Sequence, residues 1–312
     1  MDQVVIGILV IAGAWFIAYQ YSDNKSVETI LNEGMDKPIL WIYVNNSDIN
    51  SRSWADFMAR SGDVMNLPFL NLCYKTIVKQ NSAVYRVEVI GGLQDLAQRM
   101  GGWKALPTPL QNAEAVVREP ELNWIRAAVL AKWGGLWMSP SLVSTSPIGP
   151  LPSKRVVFFG VDTDPMYSRT TDVPSLNVIW SPRPSHPVWM TWEERVRERL
   201  ERRTGGAEFR HDEKTDTAFI LKEYREECIV VQTAEASRKG SAGRRLELED
   251  LLAAGGFKLA LTPEVKYVPI AYPEILERST FGWFLRMSEE QILNSDLVIS
   301  DVFRKGLLPP SA

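Results

Sequence analysis

The chain has 312 residues, 45% of them apolar, and 35 Lys and Arg against 38 Asp and Glu leave a net charge of -3. That is enough for one large domain plus an appendage, and the charge balance gives no basis for general nucleic-acid binding. Two distant cysteines, Cys73 and Cys228, argue against a disulfide framework, and two histidines, His186 and His211, leave little material for a His-based metal site or a Ser-His-Asp triad.

From Val4 to Tyr19 there is no charged or strongly polar side chain, and Trp15, Phe16, Tyr19 and Tyr21 suit a membrane interface. At about 1.5 Å per residue this run spans roughly 24 Å, slightly short of a hydrocarbon core. It predicts a single-pass anchor over residues 1–21, seated through residues such as Val4, Trp15 and Tyr19. A cleaved signal peptide is the alternative, although Met1-Asp2-Gln3 is no basic n-region. Lys25 and Lys37 follow the run and no basic residue precedes it, which favours a cytosolic position for the domain beyond. Residues 22–37 read as a polar linker, and 38–312 as an α/β domain.

Pro38 to Val44 is a continuous apolar run, the pattern of a buried parallel strand. Asn66 and Pro68 open a helix over Leu67 to Gln80, and Tyr85 to Ile90 alternates as a second strand, closed by Gly91-Gly92. Strand, helix, strand is the order of a parallel sheet with crossover helices. Gly101 to Pro120, with three prolines, reads as a loop that either covers the mouth of a site or connects elements.

Leu122, Ile125, Val129 and Trp133 recur at helical spacing, Gly134-Gly135 ends that helix, and Leu136-Trp137-Met138 is a short buried strand. Ser139-Pro140-Ser141 then occupies the strand's carboxyl end, where α/β folds place ligands. Leu142 to Pro152 reads as a connection into the strand Arg155 to Val161. That strand runs into Asp162-Thr163-Asp164, two carboxylates that suit either a metal or ordinary turn chemistry. Ser175 to Ser181 is a further strand, and His186 precedes a helix whose charged residues between 193 and 203 form a solvated or a protein-contact face. Thr215 to Glu227 reads as helix, Cys228 to Val231 as strand, and Ser237 to Arg245 as a basic loop. Phe281, Trp283 and Phe284 form an aromatic cluster, read as core or as a sugar-stacking surface.

The stretch Asn123-Trp124-Ile125-Arg126, Leu130, Gly134-Gly135 and Trp137 resembles the centre of the glycosyltransferases with a DxD motif. That group includes capsular polysaccharide synthesis proteins and enzymes acting on mannan and sphingolipid acceptors. Asn123 stands where the family has an acid, and Ser139 and Ser141 stand where it has the two aspartates. Lys37-Pro38-Ile39-Leu40-Trp41, Ser51-Arg52-Ser53-Trp54 and Asn66-Leu67-Pro68 are similar to capsular-polysaccharide-synthesis-like proteins of large DNA viruses, where the DxD is also often replaced. The resemblance covers residues 38–192.

It implies a GT-A-like, Rossmann-related mixed sheet flanked by helices and preceded by the transmembrane helix. It further implies a nucleotide-sugar site at Tyr43, Trp137, Ser139 and Ser141, with Arg126 and Asn123 as catalytic residues, Arg126 orienting the site and Asn123 lining it beside Trp137. Mn or Mg would accompany the nucleotide sugar, held by Asp162 and Asp164, since two neutral serines cannot take the place of the paired carboxylates. Two functions stay open. One is a membrane-anchored, nucleotide-sugar-dependent hexosyltransferase, which predicts a polar cleft at the end of Leu136 to Met138 with a carboxylate near Ser139. The other is a metal-free pseudoenzyme acting as a minor capsid protein that ties a virion's inner membrane to its shell, with capsid or other virion proteins, or a glycan, as partners. It predicts that Trp137 or Met138 fills the cleft, or that a partner covers it.

Overall fold

A computed structural model of the protein describes residues 37–45, 67–149, 151–162, 173–202, 213–236, 246–255, 259 and 261–309. The elements in chain order are β1 (Ile39–Val44), α1 (Pro68–Asn81), β2 (Arg86–Gly91), α2 (Gly92–Met100), α3 (Glu119–Trp133), β3 (Gly135–Met138) and β4 (Leu142–Ser144). There follow β5 (Val156–Phe159), β6 (Val161–Asp162), β7 (Val173–Pro174), β8 (Val178–Ser181), α4 (Pro187–Glu201), α5 (Glu213–Glu223) and β9 (Cys228–Val231). The last part holds α6 (Leu248–Leu252), β10 (Tyr267–Pro269), α7 (Tyr272–Glu277), α8 (Gly282–Leu285), α9 (Glu289–Asn294) and α10 (Val298–Leu307).

Six strands form one sheet in the order β2-β1-β3-β8-β5-β9. All run parallel except β8, which is antiparallel to both β3 and β5. The continuous apolar runs of β1 and β3 follow from their central places, because both faces of a central strand are covered. Trp41, Tyr43, Trp137, Phe158 and Ile179 point to one side, where α3 and α4 pack. Leu40, Ile42, Val44, Leu136, Met138 and Val178 point to the other, against Ile77, Tyr85 and Tyr267. The edge strand β2 is only half buried, which explains the charges in its Arg-Val-Glu-Val alternation.

On the first side, Trp124 of α3 donates its indole N–H to Glu193 of α4 at 2.7 Å, and the Arg197 guanidinium lies 5.0 Å from the same ring. Much of the charged face of α4 is thus a contact face, since Arg195 and Arg199 also hold the buried Asp216 at 2.8 and 2.7 Å. A further core joins α1 to β4, β10 and the C-terminal helices, and there Phe281 and Phe284 pack with Phe69 while Trp283 stays partly exposed. The aromatic cluster is mostly core. Both thiols are free, Cys73 in this core and Cys228 half-buried, and burial pushes Cys228 up to about 12.

Four expectations need correction. Gly91-Gly92 does not simply close β2, because Gly92 opens α2, whose first turn is held by Asp95 accepting from the Gly91 N–H at 3.0 Å. Pro120 belongs to the first turn of α3, where its missing N–H costs nothing. Within the connection after Ser141, residues 142–144 form β4, paired antiparallel with β10. The run from Arg155 is not one strand, since Gly160, at φ 107°, turns the chain between β5 and β6. The expected membrane segment with Val4, Trp15 and Tyr19, the linker through Asp36, the Ser51–Trp54 stretch, Asp164, His211 and the basic loop lie outside the described residues. Among the described residues no helix is long and apolar enough to cross a membrane.

The α3–β3 junction needs glycine twice. At Gly134, φ 66°, a Cβ would meet the Arg183 carbonyl carbon at 2.8 Å, and at Gly135, φ 94°, it would meet the Ile39 carbonyl oxygen at 2.4 Å. Because those neighbours are backbone, Gly135→Ala combines conformational strain with overpacking, each about 1–3 kcal/mol. A loss of at least about 2 kcal/mol is expected in urea unfolding of the protein.

His186 sits at the N-cap of α4, fully buried, and burial lowers its pKa, while the Glu227 carboxylate at 3.6 Å offsets part of that effect. The folded imidazole stays neutral where the unfolded one protonates, so this contribution to stability is whole above pH 6.5 and falls as the pH drops below it. His186→Asn is expected to flatten that acid-side decline in urea titrations run on both sides of pH 6.5.

Candidate active site

The carboxyl ends of β1 and β3 open onto a cavity of about 750 Å³. Arg118, Glu119, Leu122 and Arg126 recur at helical spacing and bring the first turns of α3 into its wall. The end of β1 is tied to the approach of α3, with Tyr43 donating to the Asn45 side chain at 3.3 Å and Asn45 donating to the Val117 carbonyl at 3.4 Å. The proline-containing segment before α3 therefore reaches the cavity through Val117 and Arg118.

Beyond β3, Ser139 donates its backbone N–H to the Asn177 carbonyl at 2.8 Å, and the Ser141 carbonyl accepts from Ile270 at 2.8 Å. These two bonds fix the serine loop between β8 and β10. The opposite wall comes from the last third of the chain and is largely apolar, with Leu246, Leu248, Leu251, Ile270 and Leu276.

Among the charged residues that line the cavity, Arg126 is the buried one. It is 5% exposed, lines the cavity, and lies 5.7 Å from the Trp137 ring centroid. Its Nη1 donates to Asn123 Oδ1 at 3.3 Å, its Nη2 is 3.9 Å from the half-exposed Glu119 carboxylate, and its Nε has no hydrogen-bond partner among the described residues. The cation–π contact offers about 0.5–2 kcal/mol, whereas a buried donor left unsatisfied costs about 1–3 kcal/mol. The guanidinium is thus left partly uncompensated among the described residues.

Of the residues expected at the site, Tyr43, Arg126, Trp137, Ser139 and Ser141 line this one cavity. Asn123 does not line it. One turn before Arg126 on α3, it is fully buried and supports Arg126 from beneath. Asp162 ends β6, and its side chain, like all of Asp164, lies outside the described residues. Trp137 is a wall and Met138 faces the far side of the sheet, so neither fills the cleft.

Glu235 was not legible as a site residue. It lines the cavity and accepts from the Tyr267 hydroxyl at 2.6 Å. Gln-Thr-Ala-Glu after a short strand carries no motif, and the pairing exists only because Glu235 and Tyr267 form a β-bridge.

Ser139 and Ser141 are neutral donors, and no group of three His, Cys, Asp or Glu among the described residues could hold a metal ion. This donor set does not fit a hard divalent cation.

The six-stranded, mostly parallel sheet flanked by helices is a mixed α/β architecture, and its cavity lies at the strand ends, where such folds place ligands. Among solved structures the chain is similar to the glycosyltransferase GlyE of Streptococcus pneumoniae TIGR4, at 10% identity and a TM-score of 0.37, covering 87% of this chain and 60% of that one. The apo-form of GlyE matches at 8% identity and a TM-score of 0.37, covering 88% of this chain and 65% of that one. The chain thus spans less than two thirds of the length of these structures, and a likeness of this degree carries no argument about activity. No family model and no curated protein matches the chain.

An undercompensated buried charge weakens the ligand-free fold. Arg126→Met, which keeps length and apolar contact, is expected to raise the melting temperature of the ligand-free protein while removing its response to anions. A lowered melting temperature in a thermal scan would show that Arg126 is structural.

Proposed function

We propose that this protein is a glycosyltransferase-like enzyme that binds a nucleoside diphosphate sugar in the cavity and transfers its sugar, with Arg126 supplying the positive charge that a metal gives elsewhere. The observation that carries this reading is the buried guanidinium, facing a cavity of about 750 Å³ at the strand ends with its Nε unpartnered among the described residues.

A leaving diphosphate gains negative charge as the glycosidic bond breaks, and a preorganised cation in a water-poor pocket stabilises that charge. Arg126 is held for this role by the Trp137 face and the Asn123 amide. The neutral hydroxyls of Ser139 and Ser141 are suited to hydrogen bonds with a sugar or phosphate oxygen rather than to holding an ion. The apolar segment 4–19 of the sequence supports tethering of this domain to a membrane. The open cleft favours ligand binding over a filled, structural role.

The test is calorimetric titration with nucleoside diphosphates and their sugars, in chelator and in Mn²⁺. Binding that survives the chelator is expected, and Arg126→Gln should weaken it about 10- to 100-fold, the worth of hydrogen bonds to a charged group. No binding of any donor under either condition would remove the transferase reading and return the chain to a structural role. Binding that strictly requires Mn²⁺ would instead give the charge-neutralising role to a metal.

A further inference from the structure

Four glutamates line the cavity among the described residues: Glu119, Glu235, Glu247 and Glu277. Three of them are exposed, and Glu235 alone is half-buried. Its backbone is fixed on both sides, since Lys266 donates to the Ala234 carbonyl at 2.8 Å and Ala236 to the Tyr267 carbonyl at 3.0 Å. Tyr267 belongs to β10, which pairs with β4 directly after the serine loop. One ladder therefore sets both Ser141 and Glu235 at the cavity.

Two neighbours define the surroundings of the side chain, Tyr267 and Gly160. The Tyr267 hydroxyl is fully buried, and its single proton is shared between the Phe159 carbonyl and the Glu235 carboxylate. Gly160, which turns the chain between β5 and β6, lies directly against the Glu235 side chain. At Gly160 a Cβ would meet the Glu235 Cβ and Oε2, both at 2.6 Å, and the Tyr267 hydroxyl at 2.9 Å. Burial, reinforced by the Glu235 carboxylate, holds the Tyr267 pKa well above its ordinary value, so the phenol remains a donor at neutral pH.

We infer that Glu235 is the general base that receives the proton of the acceptor hydroxyl, an assignment that rests on the donor reading above. The acceptor oxygen bonds to the anomeric carbon as the bond from that carbon to the diphosphate oxygen breaks. The electron pair leaves with the diphosphate, whose charge Arg126 balances, and the hydroxyl proton passes to the Glu235 carboxylate. A single displacement of this kind inverts the anomeric configuration. Tyr267 is the positioning residue: it holds the carboxylate and does not itself touch the acceptor.

The experiment measures nucleoside diphosphate release from a panel of donor sugars, with water and with methyl glycosides as acceptors, alongside calorimetric donor binding by the same preparations. Glu235→Gln, which keeps the shape and can still accept from Tyr267, should bind donor as the wild type does and release product about 100-fold more slowly or worse. Glu235→Asp should recover part of the rate. Tyr267→Phe should lower kcat with the donor KM unchanged, and this decides the matter if Glu235→Gln does not fold. Wild-type release rates in Glu235→Gln, or donor binding by the wild type with no release to any acceptor, would overturn the assignment while leaving the donor site standing. Absence of donor binding in the wild type would overturn both.

Discussion

The rest of the structure depends on how closely β3 can approach β1. Gly135 passes within a Cβ's reach of the Ile39 carbonyl, and the Trp41 indole donates to the Gly134 carbonyl at 2.9 Å. A side chain at Gly135 would hold the strands apart, and the parallel register that aligns Trp41 with Trp137 would be lost. That register sets Trp137 beneath Arg126, and it delivers the serine loop to the end of β3. The site is therefore a consequence of a backbone contact, made where α3 turns into the sheet.

The two halves of the cavity differ in origin. One half is built by the α/β sheet, through the strand ends and the first turns of α3, and it carries the positive charge. The other half comes from residues 235–277, through the bridge at Glu235, β10 and the short helices beyond it, and it is largely apolar, with Glu235 as its half-buried carboxylate. Under the function proposed above, the first wall would serve the leaving group and the second the proton transfer.

The legible parts of the chain were those with local signals. The runs of β1, β3 and β8 are apolar because the strands are covered on both faces, and the period of α3 ends at a glycine pair, so both could be read directly. The serine loop, Tyr43, Trp137 and Arg126 followed from position along those elements. Other parts depend on distant partners. β4 is three residues whose pairing partner lies more than a hundred positions away, and α2 begins on a glycine that looks like a stop. Asn123 shows the limit of motif position, because one helical turn separates a residue that faces the cavity from one that supports it. Glu235 has no local signature, as its meaning depends on Tyr267 and on the missing side chain at Gly160.

The way α10 docks has a consequence for the order in which the protein is made. Gln80 of α1 donates to the carbonyls of Gly306 and Leu308, and a Cβ at Gly306 would press on the Ser144 carbonyl and Thr76. During synthesis, then, the outer face of α1, with Phe69, Leu72 and Cys73, leaves the ribosome more than two hundred residues before its cover. The sheet through β9 can assemble in the meantime, but β4 must wait for β10 and α1 must wait for α10. Long-range closures of this kind are slow and leave apolar surface open to misassociation. The cavity is thus absent until residues 235–277 are made, and a nascent chain has no site until its far wall arrives.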